Sequence, residues 1–329
     1  MSSEDILNQR WEKTDKTLKE YVKKFDELGE EIIDEIIELI NSLNITYQDI
    51  NKSISKSDKR KLERKIEEWS KKGWLSDYFG FLVSSRKKLT YGQLLEILIY
   101  SIYLKAEEKT KEHSKEIFMI VSEDIYSQAI VEIPEEHRKK KEFSLTWEYI
   151  WSLLWIPTYN KSFDDYLKLL VMTAEQEIYK EVMVLLQQRR NIDEKALKPL
   201  IMKQKNRLIS VNDNKYSGVI SDTCRSLGNK MYLEPADDNK DLQVRFIAEL
   251  DEKTTKMCSG MDGMLFYVND WNDFYRYSEV DKKDVHYRIK GLEVGVNLPP
   301  ITNHFHWCRS TITYLIDIPL EQLRKQIKK

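Results

Sequence analysis

The chain has 329 residues, of which 33% are charged and 41% hydrophobic, with a mean hydropathy of -0.58. Its 53 basic and 55 acidic residues leave a net charge of -2, which argues against an autonomous nucleic-acid binder held by global charge. Three cysteines argue against a disulfide scaffold and fit a reducing compartment, and the most apolar run, Leu94 to Leu104, is too short to span a bilayer. The start MSSEDILNQRWEKTDK has no apolar stretch of the secretory kind, so a soluble protein without a membrane span is expected.

Glycine divides the chain. Gly29, Gly73, Gly80 and Gly92 are the only four before residue 218, and the other six lie between Gly218 and Gly295. The first part therefore reads as long helices and the last as turn-rich structure. Trp11 to Asn44 predicts a helix, with Phe25, Leu28, Ile32, Ile33, Ile36, Leu39 and Ile40 at three- and four-residue steps. Ser57 or Asp58 caps a second helix running through KRKLERKIEEW. Tyr91 to Ala106 reads as a third, more buried helix. Trp147, Trp151 and Trp155 then share one face of a helix that Pro157 stops. Ser162 to Arg190 is long and amphipathic, and shorter helices cover Asp193 to Ile209 and Asp213 to Lys230. Leu242 to Leu250, Met264 to Val268 and Thr311 to Ile316 read as strands. The final PLEQLRKQIKK reads as a surface helix or tail.

The fold class expected is α+β, a mainly α-helical N-terminal body over 1–235 followed by a small α+β C-terminal domain over 236–329.

Common chemistry is missing from the pattern. Neither GxxxxGK[ST] nor GxGxxG occurs, and GxSxG, HExxH and the EF-hand loop are absent too. The tryptophan stripe serves either core packing or a partner surface. The basic run His137 to Lys141 is flanked by Glu135, Glu136 and Glu142, as a solvated face would be, though Lys139 to Lys141 with Arg309 could also meet nucleic acid.

The C-terminal part concentrates the reactive side chains. Cys258, Cys308, His286, His304 and His306 all lie beyond Val244. If Thr302 to Ser310 is extended, His304, His306, Cys308 and Ser310 share one face. With Cys258 they form a set of ligand types suited to zinc. The same residues also suit buried thiols with hydrogen-bonded histidines, or a Cys258 nucleophile with a histidine base. Asp262-Gly263 predicts a turn, and Pro299-Pro300 an extended approach to the His/Cys segment.

The order of these elements resembles the C-terminal domain of the Mu F-like phage head-morphogenesis family. Asp251-Glu252-Lys253-Thr254 matches its acidic D-E-x-T element, and Cys258 the second cysteine of its Cys-x-x-Cys. Asp262-Gly263 with Phe266 matches Asp-Gly-x-x-Phe. Pro299-Pro300 and Cys308-Arg309-Ser310-Thr311 match the closing elements. The matched stretch runs from Val244 to Tyr314. Thr255 and Ser310 stand where many members have cysteines, so a four-cysteine metal site is impossible here. The resemblance implies a non-enzymatic minor capsid protein of a phage or prophage, located in the virion and, during assembly, in the host cytoplasm. Its implied partners are the portal protein and the major capsid protein, with phage DNA as a further one. The competing class is a thiol- or metal-dependent hydrolase or nuclease built on Cys258, His304 and His306.

Overall fold

The computed structural model describes residues 3–71, 89–140, 144–156, 161–212, 215–236, 242–248, 262–267, 270–278, 283–287 and 310–314. Among them are seven α-helices and nine short strands. The helices are α1 (Ser3–Leu43), α2 (Lys56–Lys71), α3 (Tyr91–Glu132), α4 (Trp147–Leu153), α5 (Phe163–Gln187), α6 (Glu194–Leu208) and α7 (Val219–Leu233). The strands are β1 (Trp155–Ile156), β2 (Lys161–Ser162), β3 (Ser210–Asn212), β4 (Lys215–Ser217), β5 (Gln243–Ile247), β6 (Leu265–Tyr267), β7 (Asp270–Ser278), β8 (Lys283–Tyr287) and β9 (Thr311–Tyr314). The fold is thus mainly α-helical with a small α+β part, as the sequence predicts. None of the described helices is long and apolar enough to cross a membrane.

Several boundaries differ from the sequence reading. α1 begins eight residues earlier, at Ser3 rather than Trp11, because Leu7 continues the buried stripe one turn back. α2 is capped by Ser55, not Ser57 or Asp58: the Ser55 Oγ accepts the Asp58 N–H at 3.0 Å. α3 continues to Glu132, far past Ala106. The run EEKTKEHSKE looks like a helix end, but Thr110 and Ser114 are buried and carry the inward stripe on to Ile117 and Phe118. α4 ends at Leu153, so Trp155 falls in β1 and the three tryptophans do not share a helix. Trp147 and Trp151 do pack together, 5.0 Å between ring centres. The helix expected from Asp213 starts only at Val219, because β4 occupies 215–217. The three predicted strands correspond to β5, β6 and β9, whereas β7 and β8 have no counterpart in the sequence reading. The terminal PLEQLRKQIKK lies outside the described residues.

By packing, the chain divides into two compact units, each discontinuous in sequence. This division crosses the one drawn from glycine content at 235/236, because α1 and α3 (41 and 42 residues long) each supply residues to both units.

One unit comprises 22–113 and 164–210. Its core is a bundle of α1, α3, α5 and α6, with Phe25, Ile33, Ile36, Leu95, Ile99, Leu167, Ile178, Val182 and Ile201 all nearly inaccessible. Removing such apolar surface from water contributes roughly 1.5–3 kcal/mol per large side chain. Inside it the Tyr103 hydroxyl donates to Gln204 Oε1 at 2.8 Å, and Gln204 Nε2 donates to the Ala174 carbonyl at 3.3 Å. Asp193 caps α6 by accepting the Ala196 N–H at 3.0 Å.

The other unit comprises 1–21, 114–163 and 211–329. It holds a five-stranded antiparallel sheet in the order β8-β7-β6-β5-β9. Val244, Phe246, Ile312 and Tyr314 are buried on one face of the pleat, since Val244 pairs with Tyr314 and Phe246 with Ile312, and the paired Ile247 and Thr311 are buried on the other. Helix α7 belongs to the same core, with Ile220, Cys224, Leu227, Met231 and Tyr232 fully buried. Gly228 is needed there for close approach: a Cβ would come within 2.8 Å of the Trp11 ring.

Candidate functional site

Three described residues of the C-terminal signature, Asp262, Gly263 and Thr311, gather at one end of β5. Asp262 and Gly263 form the turn that leads into β6. The Asp262 carboxylate accepts the Ala248 N–H at 2.9 Å, and the Gly263 N–H donates to the Phe246 carbonyl at 2.9 Å. Gly263 has φ +75°, a conformation that costs side-chain-bearing residues energy. Thr311 pairs with Ile247 across the other edge of β5. Asp262, Gly263 and Thr311 therefore meet at residues 246–248.

Phe266 lies in β6, opposite Val244. Asp251, Thr254, Cys258, Pro299, Pro300, His304, His306, Cys308 and Arg309 lie outside the described residues. So does the zinc set Cys258, His304, His306 and Cys308. His286 lies in β8, with its backbone opposite Tyr275. Among the described residues no cluster of His, Cys, Asp or Glu could hold a metal ion.

What fixes the Thr311 end of the site is α7. Ser310 and Thr311 are 3% and 0% exposed. The buried Asn229 amide serves both: its Nδ2 donates to the Ser310 carbonyl at 3.2 Å, and its Oδ1 accepts the Thr311 hydroxyl at 3.1 Å. One turn further, the Tyr314 N–H donates to the Tyr232 hydroxyl at 3.1 Å, and the Tyr314 hydroxyl donates to the Tyr232 carbonyl. The two rings stack at 4.6 Å. Side chains of α7 thus bond to β9, which is an edge strand among the described residues.

The network extends into α1 and α3. Tyr232 donates its hydroxyl to Glu132. Arg10, 2% exposed, donates from Nη2 to both Glu132 oxygens at 2.9 and 3.2 Å and lies 3.6 Å over the Tyr232 ring. Burial pushes the Tyr232 phenol up to about 12 and raises that of Tyr314 well above its usual value. Both phenols therefore remain protonated donors at any physiological pH. A second pair, Arg225 with Asp15 at 2.6 Å, stacks its guanidinium 4.5 Å from the Trp11 ring.

None of this is nucleophilic chemistry. Burial raises the pKa of the Cys224 thiol far above its usual range, so it is not available as a thiolate. Lys230 is pushed down to about 8 by burial and donates to the Leu153 carbonyl at 2.9 Å. The basic run is partly committed too. Arg138 donates to the Ile133 carbonyl at the end of α3, and Lys139 pairs with Glu234 at 3.3 Å. Among the described residues the arrangement holds a strand in place.

Sequence reasoning did not single out Arg10, Glu132, Asn229 or Tyr232. The one available signal is Arg10, a charged residue within the stripe that Leu7, Trp11 and Leu18 mark as buried. No family model, no curated protein and no solved structure matches this chain.

Proposed function

We propose that this chain is a minor capsid protein of a phage or prophage that assists head morphogenesis through contacts with the portal and major capsid proteins. The observation that carries this reading is the ordered signature between Val244 and Tyr314, from Asp251 through Asp262-Gly263 to Cys308-Arg309-Ser310-Thr311. Its described members support it. Asp262 and Gly263 shape one turn at the end of β5, and Ser310 and Thr311 are fixed beside the same end. In the sequence Asp251 follows Ala248 by three residues, and Cys308 precedes Thr311 by three. The buried network of Arg10, Glu132, Tyr232 and Tyr314 favours an architectural role over a catalytic one. The role also needs no nucleotide loop and no transmembrane helix.

The test is incorporation. The chain would be co-expressed with a tailed-phage portal protein and major capsid protein, and the resulting procapsids purified by sedimentation. The expected result is that the chain sediments with portal-containing procapsids and not with particles lacking the portal. Procapsids that form normally and never retain the chain would overturn the reading.

A further inference from the structure

We propose that the 22–113/164–210 unit docks against a second copy of this chain, the basic face of α2 in one copy lying along the acidic face of α1 in the other. This goes beyond the assembly role and does not depend on it. On α2, Lys56, Arg60 and Arg64 recur at every fourth residue and are all exposed. On α1, Glu30, Asp34 and Glu38 have the same spacing and are exposed too. Each stripe therefore runs about 12 Å along its helix, with a charge about every 6 Å.

The charges around these stripes are already matched. Glu31 and Glu35 pair with Lys109 and Lys105 on α3, and Asp26 with Lys205 on α6. On α2, Lys59 pairs with Glu63, Lys61 with Asp58 and Lys71 with Glu67. The six stripe residues form no ion pair among the described residues. Glu30 acts electrostatically on Lys198, but Lys198 is bonded to Glu194 at 2.7 Å. Like charges four residues apart destabilise a helix, and a line of opposite charge at the same spacing relieves that repulsion. A polyanion such as a nucleic-acid backbone would satisfy α2 alone and leave the α1 stripe unmatched. A second copy satisfies both, because α2 meets α1 twice about a twofold axis. One exposed ion pair is weak, but several acting together make a specific contact that depends steeply on salt.

The experiment is sedimentation equilibrium of the full chain at up to about 100 μM, which populates weak contacts. A dimer is expected at about 20 mM salt, with its Kd raised at least tenfold at about 300 mM. Replacing Lys56, Arg60 and Arg64 together by Glu makes both stripes acidic. Replacing Glu30, Asp34 and Glu38 together by Lys makes both basic. Each triple variant alone is expected to self-associate at least tenfold more weakly, with its circular dichroism spectrum unchanged. An equimolar mixture of the two is expected to restore the dimer. In the unmodified chain, carbodiimide cross-linking of a mixture of light and nitrogen-15 copies is expected to join Lys56 of one copy to Glu30, Asp34 or Glu38 of the other. These cross-links decide the location even if a variant fails to fold. A monomer at low salt, an association that salt leaves unchanged, folded variants whose mixture stays monomeric, or intermolecular cross-links that avoid the α1 stripe would each overturn the proposal.

Discussion

Glu175 offers the sharpest test of the bundle's electrostatics. It sits on α5, is 4% exposed, and one carboxylate oxygen has no hydrogen-bond partner among the described residues. Burial, and then the Glu96 carboxylate on α3, push its pKa up to about 8 from 4.5. The Tyr103 and Tyr179 phenols are raised by burial and also by the negative charge near them. The folded protein therefore binds a proton at Glu175 that the unfolded chain has already released. Stability from this group is fully present below about pH 4.5, falls as pH rises, and levels off above about pH 8. Each pH unit in that window costs roughly 1.4 kcal/mol, so about 3 kcal/mol is lost by pH 7. Glu175→Gln removes the titration while keeping shape and size. Urea unfolding of both proteins, followed by far-ultraviolet circular dichroism at pH 5, 6.5 and 8, measures the difference. The variant's advantage should grow by about 3–4 kcal/mol between pH 5 and pH 8. A difference that stays constant over that range would refute a neutral Glu175, since a changed packing contact alone does not depend on pH.

Two further predictions concern the fixed end of the signature. Asn229→Ala leaves the Ser310 carbonyl and the Thr311 hydroxyl buried without their partner, and should cost about 2–4 kcal/mol by thermal unfolding. Asn229→Asp removes the Nδ2 donor and buries a charge, and should cost at least as much. Gly263→Ala meets no neighbouring atom but must adopt φ +75°. It should cost about 1–2 kcal/mol, and Gly263→Asn less, because asparagine tolerates that region better than alanine.

Much of the helical architecture is legible in the sequence because apolar residues recur with the helix period. The Phe25 to Ile40 stripe and the helix expected over Asp193 to Ile209 appear where the pattern puts them. Legibility fails where buried positions are polar. Thr110, Ser114 and Ser122 line the inward side of α3, so the pattern appears to stop at Ala106 although the helix does not. It fails again for β7, whose Trp271, Phe274, Tyr275 and Tyr277 do not alternate with polar residues as a half-buried strand would. At the candidate site, the Asp262-Gly263 turn is readable because turn chemistry is local. The clamp on Thr311 is not, since Asn229 lies 82 residues away and nothing in either segment announces the other. The basic run shows the opposite problem. Arg138 and Lys139 read as part of a solvated charged face, yet Arg138 caps α3 and Lys139 holds Glu234.

That distance has a consequence for where the C-terminal domain begins. A boundary at 235/236 separates β9 from both residues that satisfy it, Asn229 and Tyr232. A fragment of 236–329 would leave the Tyr314 N–H, the Ser310 carbonyl and the Thr311 hydroxyl without those partners. It would also expose Val244, Phe246 and Ile312, all at most 1% accessible in the chain. Starting at 211 restores α7 with Asn229 and Tyr232, but omits Trp11 and Arg10, which pack on Gly228 and Tyr232. The expected order of folding is therefore none for 236–329, partial for 211–329, and full only when 1–21 and 114–163 are present. Proton–nitrogen correlation spectra of the three proteins would show it as narrow, intermediate and wide amide dispersion. A well-dispersed spectrum from 236–329 alone would mean that the sheet is self-sufficient and that the α7 clamp is ornamental to its folding.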